Sequence, residues 1–214
     1  MKAKQKKIEI TNSDLVKVEP ITDNQKLVFN SYKKGQNQFL FGAAGTGKTF
    51  ISLYLALKDV MDLKKPYDKV ILVRSLIPTR EIGFLPGDEE DKAALYQVPY
   101  QNMVQFMFEQ SSDNAFSMLY DRLKNQGSIT FLTTSYLRGI TLDNAIVIVD
   151  ESQNCNFHEL DTIITDDNYS NNFDRLNTIL YTVSISLSII PRDVVATFNG
   201  ENGRFKKYKQ VNYE

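Results

Sequence analysis

The chain has 214 residues, which predicts one domain of ordinary size and leaves too little length for two nucleotide-binding domains in tandem. Its 25 basic and 26 acidic residues nearly balance, so the whole chain lacks the charge of a strongly basic nucleic-acid binder. A single cysteine, Cys155, excludes an internal disulfide and a zinc site built on cysteine pairs. No apolar run approaches the roughly 18 residues of a transmembrane helix, and the Lys-rich start lacks the apolar core of a signal peptide. We therefore expect a cytoplasmic protein without a membrane partner.

The first two thirds of the chain alternate apolar runs with amphipathic segments. We expect a mobile, weakly structured arm over 1–20 and then a helix that Thr22 and Gln25 open with capping-box spacing. Pro and Gly residues mark 75–100 as irregular, and another helix is predicted over 101–123. Strands that alternate with helices predict an α/β domain with a mainly parallel sheet flanked by helices. Strands are predicted at 38–41, 70–73, 129–132 and 145–149, and a long helix at 49–63.

The C-terminal part of the chain has mixed patterns. Phe173, Leu176 and Leu180 share one helical face, which predicts a helix over 173–181. The alternative is one long strand over 178–190. The other predicted elements are a helix at 157–165, a polar loop at 166–172, a strand at 183–190 and a last helix that begins at Pro191.

We divide the chain into an arm (1–20), an α/β domain (21–199) and a basic tail (200–214). The tail interleaves basic and aromatic residues, a pattern that can contact nucleic-acid phosphates and stack on bases. A solvated terminus is the commoner explanation of such a segment.

A glycine-rich segment between a predicted strand and a predicted helix matches the phosphate-binding pattern G-x-x-x-x-G-K-[ST] at every fixed position. Glycines let backbone N–H groups curl round a polyphosphate, and the N-terminus of the next helix adds partial positive charge. We expect Lys48 to reach the β- and γ-phosphates and the Thr49 hydroxyl to hold Mg²⁺. The predicted nucleotide-binding loop is Gly42, Ala43, Ala44, Gly45, Thr46, Gly47, Lys48 and Thr49.

Two carboxylates, Asp150 and Glu151, follow the apolar run at 145–149. In open α/β sheets, ligands bind at the carboxyl ends of strands. We expect Asp150 to orient Mg²⁺ through water, and Glu151 to act as the general base that polarises the attacking water, so that both act with Lys48 in catalysis. Gln153 is a candidate for positioning that water or sensing the γ-phosphate. The alternative is a solvated strand end without chemistry.

Together with further blocks, these motifs resemble the PhoH family of phosphate-starvation-inducible P-loop ATPases of bacteria and tailed phages. The resemblance covers about residues 20–165, and the block at 83–88 is far more specific to the family than the phosphate-binding loop. The blocks that carry it, besides that loop, are 71–75, 83–88, 136–142 and 149–154.

The resemblance implies a single RecA-like P-loop NTPase domain, similar to the first domain of superfamily 1 helicases, with ATP and Mg²⁺ as cofactors and ATP hydrolysis as the activity. It also implies an association with single-stranded RNA or DNA and a homo-oligomer such as a hexameric ring. Gln25 would contact adenine, with the capping role beside Thr22 as the alternative, and the two roles are compatible. Arg74, Arg80 and Arg138 are candidates for phosphate or neighbouring-subunit contacts, with Arg138 the best placed, and ordinary surface roles are the alternative.

The chain departs from the family after the acidic pair. Family members carry a strand that ends in Gly-Asp-x-x-Gln and senses the γ-phosphate, whereas no Gly-Asp pair follows Gly139 here. We therefore expect the sensor strand to be absent, the sheet to be narrowed or exposed beside Asp150, and hydrolysis to be slow although nucleotide binds. A non-catalytic nucleotide-binding regulatory module is an alternative. So is a nucleoside kinase, although those enzymes usually carry a cysteine-based zinc site that one cysteine cannot supply.

Overall fold

The computed structural model describes residues 10–75, 89–110, 112–137, 143–156, 158–159, 178–185 and 194–198, with the backbone alone at 89–93, 135, 178–185 and 194–198. Its helices are α1 (Asp23–Lys33), α2 (Lys48–Val60), α3 (Glu89–Met107) and α4 (Asp113–Asn125). Its strands are β1 (Asn37–Ala43), β2 (Lys69–Arg74), β3 (Ile129–Thr133), β4 (Ala145–Asp150), β5 (Thr178–Ile185) and β6 (Val194–Phe198).

The described strands form one sheet in the order β3-β2-β4-β5-β1-β6. Neighbouring strands are parallel except β6, which runs antiparallel to β1. The prediction of a single RecA-like α/β domain with a mainly parallel sheet is confirmed. None of the described helices combines the length and the apolar character that a membrane-spanning helix needs.

Burial on both faces of the sheet explains the continuous apolar runs of the central strands. In β4, Ile146 and Ile148 join the buried cluster that contains side chains from all four helices, while Val147 and its odd-numbered neighbours join a second cluster on the opposite face. Because side chains alternate along a strand, Asp150 lies on the same face as Ile148, toward the helices. Arg74 is the register partner of Asp150 on β2.

Helix α1 begins with the predicted capping box. The Thr22 hydroxyl accepts the N–H of Gln25 at 3.2 Å, and Gln25 Oε1 accepts the N–H groups of Ile21 at 2.8 Å and Thr22 at 3.4 Å. A buried glutamine on β1, Gln38, then ties the helix to the sheet, since its Nε2 donates to the Val28 carbonyl at 2.9 Å. This attachment places the start of α1 beside the glycine-rich loop.

The predictions for 75–100 and 101–123 are wrong in part. Residues from Glu89 form one helix, α3, which contains Pro99, and α4 begins only at Asp113. Pro99 has no N–H, so α3 loses one of its internal hydrogen bonds at this position. The burial of Tyr100 and Val104 from the same helix in the core stabilises α3 and offsets this loss. Glu109, in a left-handed conformation with φ 51°, separates the two helices. The predictions for 76–88 lie outside the described residues.

The expected loss of a core strand is also wrong. β5 lies between β4 and β1 and pairs with both, so the sheet is complete beside Asp150. The predicted helix over 173–181 is replaced by strand from Thr178 onward, as in the alternative of one long strand. Thr178, Ile179, Tyr181 and Val183 are β-branched or aromatic, and that composition favours a pleated strand over the helical spacing of the apolar residues.

The last predicted helix is wrong where the structure describes it. Val194–Phe198 is β6, which adds an antiparallel strand to the edge of β1. Val194, Val195 and Thr197 are β-branched, and the unpaired edge of β1 offers them a hydrogen-bonding partner. Of the predicted helix over 157–165, the described His158 and Glu159 are helical, and the rest lies outside the described residues.

Residues 10–20, the described part of the arm predicted over 1–20, pack against the helices. In residues 10–20 the Leu15 side chain is buried, and the Val16 N–H donates to the Met107 carbonyl at 2.8 Å. The Val18 N–H donates to the Tyr54 hydroxyl at 3.2 Å. Apolar burial and these bonds fix the segment on the helices. The division into arm, domain and tail stays a prediction.

Candidate functional site

The glycine-rich loop curls between β1 and α2. Gly45 (φ 78°) and Gly47 (φ 85°) adopt left-handed backbone conformations that other residues rarely adopt, so these positions require glycine. Lys48, the first residue of α2, folds its ammonium group into the curl, where it donates to the carbonyls of Gly42 at 3.0 Å and Ala43 at 2.7 Å. A cation therefore lies among backbone groups at a helix N-terminus, an arrangement suited to polyphosphate.

The structure brings the predicted metal residues together. The Thr49 hydroxyl, in the first turn of α2, donates to Asp150 Oδ1 at 2.7 Å. Asp150 ends β4 and is only 4% exposed. Although no three His, Cys, Asp or Glu side chains of the described residues cluster as metal ligands, Mg²⁺ at a phosphate-binding loop takes its ligands from a hydroxyl, one carboxylate, phosphates and water. The donor set present here therefore fits Mg²⁺.

The other oxygen of this carboxylate accepts a hydrogen bond from a tyrosine that the sequence analysis missed. Tyr100, on α3 and 1% exposed, donates its hydroxyl to Asp150 Oδ2 at 2.7 Å. Burial, and then the charge of Asp150, raise the pKa of Tyr100, so the phenol keeps its proton. Nothing in the sequence singled it out, because it directly follows Pro99 in a stretch predicted as irregular.

Arg74 lies next to this tyrosine rather than at the glycine-rich loop. Its Nη1 donates to the Tyr100 hydroxyl at 3.4 Å, and its guanidinium lies 5.2 Å from the centre of the Tyr96 ring. Burial alone would lower the pKa of Arg74, but Tyr100 and the carboxylates of Asp150 and Glu151 outweigh it, and the pKa is raised. The guanidinium is therefore a fixed positive charge beside the acidic pair.

Glu151 turns the chain sharply out of β4. It adopts a left-handed conformation (φ 50°, ψ 44°), a strain of the kind often found at functional sites. Its half-buried side chain accepts a hydrogen bond at Oε2 from the Gln153 amide. Glu151 and Gln153, the two residues predicted to activate or position the attacking water, are thus hydrogen-bonded to each other immediately after Asp150.

Gln25 lies over the glycine-rich loop. Its Nε2 is 3.9 Å from the position that a Cβ on Gly47 would take, while its Oε1 serves the capping box. The capping role is therefore present, and the amide N–H groups face the loop. A cleft opens there, lined by Asn24, Gln25, Val28, Leu40, Phe41, Thr46, Lys48 and Ile51. Apolar walls with an amide at one side suit a nucleobase.

Several candidate residues lie outside the described residues: Arg80, Arg138 and the block at 83–88. Cys155 is described and half-buried near the acidic pair. Burial, and then the Glu159 carboxylate, raise the pKa of this thiol to about 11. It is therefore a protonated packing residue at neutral pH.

Comparison with known proteins finds one family. The family model described as PhoH-like protein matches residues 17–166. The chain is 33% identical over 127 residues to Protein PhoH2 of Bacillus subtilis, a match that covers 59% of this chain and 28% of the relative. It is 34% identical over 146 residues to a PhoH-like protein of Synechocystis (67% and 42%) and 34% identical over 129 residues to Protein PhoH of Escherichia coli (59% and 34%). The matches span less than half of each of these relatives.

Proposed function

We propose that this chain, which belongs to the PhoH family, binds Mg-ATP at its glycine-rich loop and hydrolyses it slowly. The observation that carries the proposal is the bond between Thr49 and Asp150, because it joins the two motifs that a P-loop ATPase needs. A chance glycine-rich turn has no reason to meet a buried carboxylate at the end of β4, a strand that does not pair with β1.

Each residue of the site has a role in this proposal. Lys48 leaves the loop carbonyls to contact the β- and γ-phosphates, and the N-terminal N–H groups of α2 bind phosphate oxygens. Thr49 and Asp150 hold Mg²⁺, which supplies positive charge to offset that of the polyphosphate. Glu151 accepts a proton from the attacking water, and Gln153 orients that carboxylate through the hydrogen bond already present.

The slow rate follows from the composition of β5. This strand runs beside β1, and its Ser184 is level with Gly42 at the start of the loop. Residues 178–190 contain no Asp, Glu, Asn or Gln, so this stretch of sequence supplies no side-chain carboxylate or amide of the kind that the family's Gly-Asp-x-x-Gln motif carries. The same observation favours the second candidate, a regulatory module that binds ATP without turnover.

The proposed partners are a single nucleic-acid strand and further copies of this chain. A helicase-like cleft needs two RecA-like domains, and in a hexameric ring a neighbouring copy supplies the second one for movement on single-stranded RNA or DNA. The basic and aromatic tail over 200–214 is the segment whose composition suits a single strand. The lone cysteine is consistent with work in the reducing cytoplasm.

Calorimetry with Mg-ATP, combined with the mass of the assembly in solution, tests the proposal. We expect saturable ATP binding, phosphate release that single-stranded RNA accelerates, and a mass of several chains. Absence of Mg-ATP binding would contradict the whole proposal. Binding without any phosphate release would favour the regulatory module, and transfer of phosphate to an added nucleoside would identify a kinase.

A further inference from the structure

Asp150 is held from two sides by groups on different helices. Thr49 on α2 donates to Oδ1 and Tyr100 on α3 donates to Oδ2, each at 2.7 Å. A carboxylate accepts hydrogen bonds and cannot donate them, so the Tyr100 hydroxyl is the donor in this hydrogen bond. The carboxylate plane is therefore set by both helices together.

The two hydroxyls are not equivalent once a nucleotide binds. In the proposed complex the Thr49 oxygen would hold Mg²⁺, and its hydrogen bond to Oδ1 alone would not fix the plane of the carboxylate. Rotation of an aspartate about its last side-chain bond is soft, because the energy wells of that torsion are broad. Tyr100, on α3, would keep its bond to Oδ2 and so leave Oδ1 directed at Thr49.

Arg74 reinforces the tyrosine. Its Nη1 donates to the phenolic oxygen at 3.4 Å, while that phenol donates to Asp150. A hydroxyl that accepts from a cation becomes a better donor, so the chain from Arg74 through Tyr100 strengthens the contact with Asp150. Tyr96, one turn before Tyr100 on α3, lies against the same guanidinium.

We propose that Tyr100 is a positioning residue that orients the Asp150 carboxylate for Mg²⁺, a role that rests on the proposed function. It acts through Asp150 and does not touch nucleotide. Groups of this kind behind a metal ligand typically contribute tenfold to a hundredfold in metal affinity. Because Tyr100 lies on α3, the position of this helix thereby affects the affinity of the proposed site for Mg²⁺.

A packing role is the competing explanation, since the Tyr100 ring lies 5.8 Å from the Phe131 ring in the core. Tyr100→Phe separates the two, because it keeps the ring and removes only the hydroxyl. Tyr120→Phe is the matched control, since Tyr120 is also a buried tyrosine but stands on α4. Tyr100→Met, which also lacks the hydroxyl, is a second variant if the phenylalanine variant is poorly folded.

The experiment measures ATP affinity as a function of Mg²⁺ concentration and again in EDTA, with thermal melting to establish folding. For Tyr100→Phe we expect the half-saturating Mg²⁺ concentration to rise about tenfold. Affinity in EDTA should be unchanged, and excess Mg²⁺ should restore the affinity. A packing defect would lower affinity under both conditions and would not be rescued by Mg²⁺.

Two results separate the proposals. If the wild-type chain and Tyr120→Phe bind Mg-ATP with the same Mg²⁺ dependence as folded Tyr100→Phe, the positioning role of Tyr100 is wrong while the proposed function stands. If the wild-type chain binds no ATP at any Mg²⁺ concentration, the proposed function itself fails, and the role of Tyr100 fails with it.

Discussion

Thr49 and Asp150 are 101 residues apart in the chain, yet the hydroxyl of one donates to the carboxylate of the other at 2.7 Å. Thr49 belongs to the helix that follows β1, and Asp150 ends β4, with β5 between these two strands. The contact requires α2 to cross β5 toward β4. The parallel sheet therefore assembles the site, because it brings the carboxyl ends of β1 and β4 and the first turn of α2 to the same edge of the sheet.

Loss of the loop cation should weaken nucleotide binding. We expect Lys48→Ala to lower ATP affinity by about tenfold to a hundredfold, roughly 1.5–3 kcal/mol, because charge-assisted bonds to the phosphates are lost. Lys58→Ala, on the same helix but exposed above the Tyr54 ring, is the control and should bind ATP normally. Calorimetry measures both, and equal affinities would place ATP elsewhere.

The capping role of Gln25 and its proposed contact with adenine can be separated by substitution. Gln25→Glu keeps an oxygen for the capping box but removes the N–H groups that face the cleft, so we expect the preference for ATP over GTP to disappear without loss of stability. Thr22→Ala should do the opposite, costing about 1 kcal/mol of unfolding free energy without changing the nucleotide preference. Competition binding and urea unfolding measure the two effects. An unchanged ATP-to-GTP ratio in Gln25→Glu would rule out adenine contact.

Gln38 should matter for stability rather than for nucleotide chemistry. Its buried amide donates to Val28 and to the Ser31 hydroxyl, at 2.9 and 3.1 Å. Gln38→Ala removes both hydrogen bonds and opens a cavity, so we expect a loss of about 2–4 kcal/mol in the free energy of unfolding. Asn30→Ala, at an exposed position of α1, should change it by less than about 0.5 kcal/mol. Similar values for the two variants would contradict the anchoring role.

The single thiol reports on packing beside the acidic pair. The pKa of Cys155 is raised to about 11, above the ordinary value of about 8.5, and only the thiolate reacts with iodoacetamide. At pH 8 we therefore expect alkylation to be about a hundredfold slower in the folded chain than in urea, since the thiolate fraction falls about tenfold per pH unit below the pKa. The rate should rise with pH up to about 11. Equal rates with and without urea would contradict the raised pKa of Cys155.

The glycine-rich loop and the acidic pair could be predicted because their chemistry is local. Gly45, Gly47, Lys48 and Thr49 lie within five positions, and the geometry they need is set by the strand and helix that flank them. The apolar run before Asp150 likewise identified a strand buried on both faces. Once the register between β2 and β4 is known, the alternation of side chains along β2 also places Arg74 on the same face of the sheet as Asp150.

Tyr100 and β5 could not be predicted because long-range packing decides both. Tyr100 reaches Asp150 only because α3 continues through Pro99, and a proline ordinarily argues against a helix interior. Thr178–Ile185 has apolar spacing that suits a helix as well as a strand, and the open position between β4 and β1 decides for the strand. The missing Gly-Asp-x-x-Gln motif indicated a lost strand, whereas the strand is present and the motif is not.

Phosphate release from Mg-ATP by the wild-type chain and by Glu151→Gln tests the central claim most directly. We expect slow, Mg²⁺-dependent release by the wild type, and a rate lower by about a hundredfold or more in Glu151→Gln, which lacks the proposed general base. ATP affinity should be retained in the variant, because Lys48, Thr49 and Asp150 are unchanged. Equal rates in the two proteins, or no release by the wild type under single-turnover conditions, would contradict ATP hydrolysis at this site.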